Sequence, residues 1–114
     1  MKKTIVLKKN YEFKYVFNKG TFYGSNLLNV YILKINENLN KIGVVVGKKN
    51  FKAVKRNRIK RLIRESYRLI EDELKNGYSI IIMWKNKKEF EYANFFDIQQ
   101  QLITILKKAM VFKE

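Results

Sequence analysis

The sequence contains no cysteine, no histidine and no proline. Without cysteine there are no disulfides, no thiolate zinc sites and no thiol nucleophiles. Without histidine the commonest general base and metal ligand is gone as well. No nucleophile–base constellation can be assembled from what is left, so neither a catalytic residue nor a metal ligand is expected on the protein. Long apolar runs are missing too. The opening MKKTIVLKKNYEF is basic, but only the short stretch TIVL precedes Lys8, too little for a signal peptide, and no later segment approaches a membrane span. The address expected from this is cytoplasmic.

Acidic residues are also scarce. Ten Asp and Glu face 25 Lys and Arg, a formal charge of +15 on 114 residues. With 46% hydrophobic residues the chain can still bury one modest core, so a single domain spanning 1–114 is expected rather than a disordered tail. A charge surplus of this size repels itself and fits a polyanionic partner, nucleic acid or an acidic membrane surface.

Periodicity predicts an α+β sandwich of order α-β-β-α-β-α, with helices packed on a small sheet. Residues 10–18 read as a short helix with Asn10 as N-cap and Gly20 as its stop. Residues 27–35 (LLNVYILKI) and 41–46 (KIGVVV) read as two strands, joined as a hairpin through Asn36, Asn38 and Asn40. Residues 53–75 carry a helical period. YSIIIMW (78–84) is continuously apolar, the pattern of a central strand buried on both faces. A last helix spans 95–111, with Phe95, Ile98, Leu102, Ile105, Leu106 and Ala109 on its apolar side. Trp84 reads as core. Glu71-Asp72-Glu73 reads as a solubilising or pairing patch, and Glu89 and Glu91 as loop residues without partner ligands.

The most informative stretch is 48–68, KKNFKAVKRNRIKRLIRESYR, with ten of the 25 cations and a single acid, Glu65. Placed on a helix at about 100° per residue, Ile59, Leu62, Ile63, Ser66, Ile70 and Leu74 fall on one side. Asn57, Arg61, Arg64 and Arg68 fall on the opposite side, flanked by Lys60 and Arg56. Stacked like charges destabilise an isolated helix. A dense, one-signed row therefore fits a phosphate backbone better than a merely solvated face, and the arginine fork suits both phosphates and bases.

KAVKRNRIKRLIRE, with Arg56-Asn57-Arg58 followed by Lys60, Arg61 and Arg64, resembles the RNR signature of the bacterial ribonuclease P protein family. LKKNYEFKYVFNKG, VYILKI, IGVVVGKK and YSIIIMW resemble the family's first helix and successive strands, in order, along nearly the whole chain. The resemblance implies a ribosomal protein S5 domain 2-like sandwich with a left-handed crossover through the signature helix, where general rules would give a right-handed one. It implies a protein partner of a catalytic RNA that removes the 5′ leader from precursor tRNA, one protein per RNA. Hydrolysis and its Mg²⁺ would sit mainly on the RNA. Arg56, Asn57, Arg58, Lys60, Arg61 and Arg64 would contact the catalytic RNA, joined by Arg68 on helical geometry alone.

The family's second surface, a leader-binding cleft between the first helix and the sheet, would take Phe13, Phe17, Tyr31 and Lys49. Aromatic faces beside positive charge suit a sequence-tolerant single strand; read from the residues alone, Phe13 and Phe17 fit an i,i+4 pair in the core better, and the resemblance is what moves them to the cleft. One departure stands out: Asn50-Phe51-Lys52 replaces the family's glycine-containing approach to the helix, so Phe51 needs somewhere to pack. Rival readings are a structural RNA-binding protein such as a ribosomal protein, a helix-turn-helix DNA binder, which lacks its second helix, and a membrane-surface protein, whose aliphatic helix face is needed as core.

Because +15 is uncompensated in the free chain, sulfate should raise the helical signal of the protein at low salt. Far-UV circular dichroism with and without sulfate checks this, and superimposable spectra would refute it.

Overall fold

A computed structural model describes residues 4–48, 51–86 and 88–113. The elements along the chain are β1 (Thr4–Val6), α1 (Asn10–Lys19), β2 (Thr21–Gly24), β3 (Leu28–Lys34), β4 (Asn40–Val45), α2 (Ala53–Arg68), β5 (Tyr78–Trp84) and α3 (Phe95–Lys108). Short 3₁₀ turns sit at Glu71–Glu73 and Phe90–Tyr92. Among the described residues the strands form one mixed sheet in the order β1-β4-β5-β3-β2. The α+β sandwich expected from periodicity is present, with two additional short strands, β1 and β2, at the sheet edges. Three or four residues are too few for a readable alternation.

β5 lies in the middle, as its continuous apolar run requires. It pairs parallel with β4 and antiparallel with β3, so Ile80 stands between Ile42 and Ile32, and Ile82 between Val44 and Val30. The expected hairpin of the second and third strand segments therefore does not form. A strand that is apolar on both faces gains most when it is paired on both edges, and β3 and β4 supply those edges. Asn40, taken from sequence for a turn residue, is instead the first residue of β4 and 2% exposed. Its amide donates to Lys75 O at 2.9 Å and its side-chain oxygen accepts from Tyr78 N at 3.0 Å, fixing where β5 begins.

Helix ends also differ from the periodic reading. α1 starts at Asn10 with Lys9 as the N-cap residue, and Glu12 satisfies the first turn by accepting from Lys9 N at 3.1 Å. α2 stops at Arg68 rather than 75: three successive acids would face the negative helix end, and they form a 3₁₀ turn instead. Ile70 and Leu74 are still buried, but from that connection. α3 ends at Lys108, where Met110 adopts a positive φ of 63°.

Two apolar layers flank the sheet. α2 and α3 cover one face, burying Ile59, Ile63, Tyr67, Ile98 and Leu102 against Val30, Ile42, Ile80, Ile82 and Trp84. Phe51 packs at the margin of this layer. α1 covers part of the other face, where Leu7, Val16 and Ile81 form a smaller cluster. Tyr67 is fully buried, and its hydroxyl lies 3.0 Å from Thr4 Oγ1, tying α2 to β1. Desolvation raises its pKa, so the phenol stays neutral through the physiological range. Among the described residues no helix is long and apolar enough to cross a membrane.

Phe13 of α1 packs tightly on Gly43 of β4. A Cβ there would come within 2.5 Å of Phe13 Cε1 and 2.9 Å of Cζ. Gly43→Ala should therefore cost about 1–3 kcal/mol, read as a lowered urea midpoint at constant m-value; an unchanged midpoint would show that α1 is free to shift.

Candidate nucleic-acid interface

α2 forms its helix from a segment without glycine or proline and closes no side-chain cap at its start. No acid lies in its first turn, so the positive end of the helix dipole is not neutralised locally. Its buried residues are Ile59, Ile63, Ser66 and Tyr67. Ser66 meets its polar requirement within the helix by donating to Leu62 O at 2.9 Å. Burying Ile59 and Ile63 contributes about 1.5–3 kcal/mol each, against about 0.2–0.5 kcal/mol lost per stacked like-charge pair. The core face therefore decides the helix's orientation, and the cations follow to the outside.

There Asn57, Arg58, Arg61, Arg64 and Arg68 are exposed, and Lys60 is half-buried. Asn57, Arg61, Arg64 and Arg68 come together along one open groove of about 470 Å³, with Glu65 as its only acid. Arg68 pairs with Glu65, its Nε 3.3 Å from Oε2 with a closer second contact through Nη2. The Arg68 guanidinium holds the Glu65 carboxyl below the usual carboxylate range. The pair is surface-exposed and contributes little to stability, but it presets the guanidinium plane. Arg56 is placed differently from the others. It is half-buried, and its Nη1 donates to Phe51 O at 2.7 Å, clamping the chain just before the helix.

The second predicted set divides. Lys49 lies outside the described residues. Phe13, Phe17 and Tyr31 gather on the α1 side of the sheet, all three half-buried against Leu7, Val16 and Ile81. They are neither a sealed core pair nor free surface rings. Phe17 meets Tyr31 edge-on at 4.9 Å between ring centroids, and Tyr31 meets Phe22 at 5.2 Å. Phe22 is 52% exposed and was not singled out by sequence. Its only signal is an aromatic residue in TFYG directly after the helix stop, and its position follows from β2 pairing with β3, which sets Phe22 opposite Tyr31.

The row of aromatic rings therefore begins on Gly43, under Phe13, and runs to the β2 edge. It leaves an aromatic surface partly open to solvent, Phe22 most of all. Such a surface can stack bases without reading their identity, while the arginine groove on α2 can grip a phosphate backbone. The two surfaces lie on opposite faces of one sheet.

Comparison with known proteins gives one consistent answer. The family model described as Ribonuclease P matches residues 1–110. The chain is 42% identical over 107 residues to the ribonuclease P protein component of Clostridium botulinum (strain Loch Maree / Type A3), covering 93% of this chain and 95% of that one. It is 33% identical over 114 residues to that of Natranaerobius thermophilus, covering 100% and 97%. Among solved structures, the Staphylococcus aureus RNase P protein superposes with a TM-score of 0.82 at 29% identity, over 95% of this chain and 97% of that one. The Thermotoga maritima RNase P protein gives 0.80 at 28%, over 90% and 94%. The arginine-rich helix, the mixed sheet and these matches along the whole chain agree: the chain belongs to the ribonuclease P protein family, whose members are the protein component of an RNA-containing endoribonuclease.

Proposed function

We propose that this chain binds the RNA subunit of ribonuclease P through the solvent face of α2 and receives the 5′ leader of precursor tRNA along the Phe13–Phe17–Tyr31–Phe22 surface. The observation that carries this reading is the arginine groove: Asn57, Arg61, Arg64 and Arg68 line one surface on a helix whose opposite side is core. Arg58 and Lys60 extend it around the helix. Arg56 contributes from its base while it holds Phe51, and Lys49 is assigned to the leader surface on family resemblance alone. One protein per RNA, in the cytoplasm, is part of the same proposal.

The division of labour follows from the chemistry available. The chain has no histidine or cysteine, and among the described residues no three acidic side chains gather into a group that could hold an ion. Glu71 Oε2, a buried carboxylate oxygen without a hydrogen-bond partner, stands outside any such group. Among the described residues the side chains thus do not form a site for a protein-held metal. Mg²⁺ is assigned to the RNA and substrate. The protein's work is neutralising phosphate charge and holding the leader, which reduces the Mg²⁺ needed to bring RNA and substrate together.

Two outcomes are expected. Adding this protein to its matching RNA at low Mg²⁺ should stimulate precursor-tRNA cleavage; equal rates with and without protein would overturn the function. Arg61→Gln and Arg64→Gln should each weaken binding to that RNA and lower the steepness of its salt dependence by about one unit on a log–log plot. The measurement is affinity against KCl concentration, and an unaltered slope would remove those residues from the phosphate contact.

A further inference from the structure

α1 crosses the sheet and divides its open face in two. The leader surface described above lies on the Phe13 and Phe17 side. On the other side is a groove of about 550 Å³ between α1 and the ends of β3, β4 and β5. Tyr11 and Tyr15 form its helix wall, Lys41 and Glu37 its far wall, and Ser79 on β5 lies on its floor. Both tyrosines are far more open than core residues, Tyr11 at 66% and Tyr15 at 58% exposure. They stand one helical turn apart, so the rings share one flank, and the same i,i+4 row continues to Lys19.

The charge around this exposed aromatic flank says which kind of occupant it fits. Lys8, Lys9, Lys14 and Lys19 surround or belong to α1, against one acid, Glu12. Glu12 is turned to the helix start, where its carboxylate accepts from Lys9 N at 3.1 Å and Lys8 N at 3.4 Å, and these bonds hold its pKa low. The Lys9 ammonium already lies 5.9 Å from the Tyr11 ring centre. Across the groove Glu37 is engaged by Lys41 at 3.1 Å. Glu12, Glu37 and Lys41 line the groove itself; Lys8, Lys9, Lys14 and Lys19 on and beside α1 then make the surroundings net positive. Aromatic faces inside a positive rim match a single-stranded polyanion with π-faces of its own, and a groove of this size falls within the range that encloses a small molecule, about 300–1,000 Å³.

We propose that this groove is a second RNA site, which takes an unpaired nucleotide with its base stacked on Tyr11 or Tyr15 and its phosphates toward Lys8, Lys9 and Lys19. α1 would then be gripped by RNA on both flanks. The proposal rests on the chain being an RNA binder, but not on α2 being the surface that carries the catalytic RNA.

The test uses a fluorescein-labelled oligoadenylate of twelve nucleotides and the full chain, with affinity read by fluorescence polarisation over a range of KCl concentrations. Tyr11→Leu/Tyr15→Leu keeps apolar bulk and helix propensity but removes the rings, and should weaken binding about tenfold, the size of one base–aromatic stack. Its salt slope should stay unchanged, because stacking releases no counterions. Tyr11→Phe/Tyr15→Phe should bind like the parent. Ultraviolet crosslinking of the unaltered protein to the same oligonucleotide should place a nucleotide on the peptide containing Tyr11 and Tyr15. Parental affinity in the double-leucine variant, or crosslinks confined to other peptides, would overturn the site. Arg61→Gln/Arg64→Gln in the same assay reports on α2 separately, so failure of one reading leaves the other measurable.

Discussion

Ile59, Ile63, Ser66 and Tyr67 lie fully buried on the inner side of α2, and that burial is what makes a strongly cationic outer face tolerable. A helix carrying Arg58, Arg61 and Arg64 at three-residue spacing would fray by itself in water, because each turn sets like charges side by side. Packed on the sheet it has no such freedom. Repulsion among the guanidinium groups is instead relieved outward, toward a counterion atmosphere or a phosphate backbone. The same contact positions β4 and β5 on either side of the α2 crossover, so the sheet and the basic face depend on one interface.

The opposite face of the sheet follows a different rule. α1 has ten residues and buries only Val16 completely, which is too little to seal the sheet. It seats itself with Phe13 against the bare backbone of Gly43 and Phe17 edge-on to Tyr31, and leaves aromatic surface open on both flanks. Phe17, Tyr31 and Phe22 make one flank, Tyr11 and Tyr15 the other. A small helix over a five-stranded sheet thus generates grooves as a matter of area. Which residues line them decides what they bind.

Several of the few acids have partners close by. Glu12 closes the start of α1, Glu37 pairs with Lys41, and Glu65 sets the plane of Arg68. Glu71 is buried in the turn after α2. With ten acids against 25 lysines and arginines, the net positive field is a property of the whole molecule rather than of one helix. Arg56 shows the reverse use of a cation. Bonded to Phe51 O, it holds the approach to α2, where Phe51 packs at the core margin.

The sequence by itself determined what has a strong period or a strong composition: the charge surplus, the two-sided α2, the both-faced apolar β5, α3, and the Arg56-Asn57-Arg58 signature. These were legible because burial on one face repeats every three to four residues in a helix, and burial on both faces leaves no polar position in a strand. Only the tertiary structure decided that β5 separates β3 from β4, that Asn40 locks a crossover instead of turning a hairpin, and that Phe13 and Phe17 sit half-buried between core and surface. It also brought Phe22 to Tyr31 and enclosed Tyr11 and Tyr15 in a groove. Each of these depends on partners far apart in the chain, whose meeting is set by which strand edges pair, and strand pairing leaves no period in the sequence that could be read in advance.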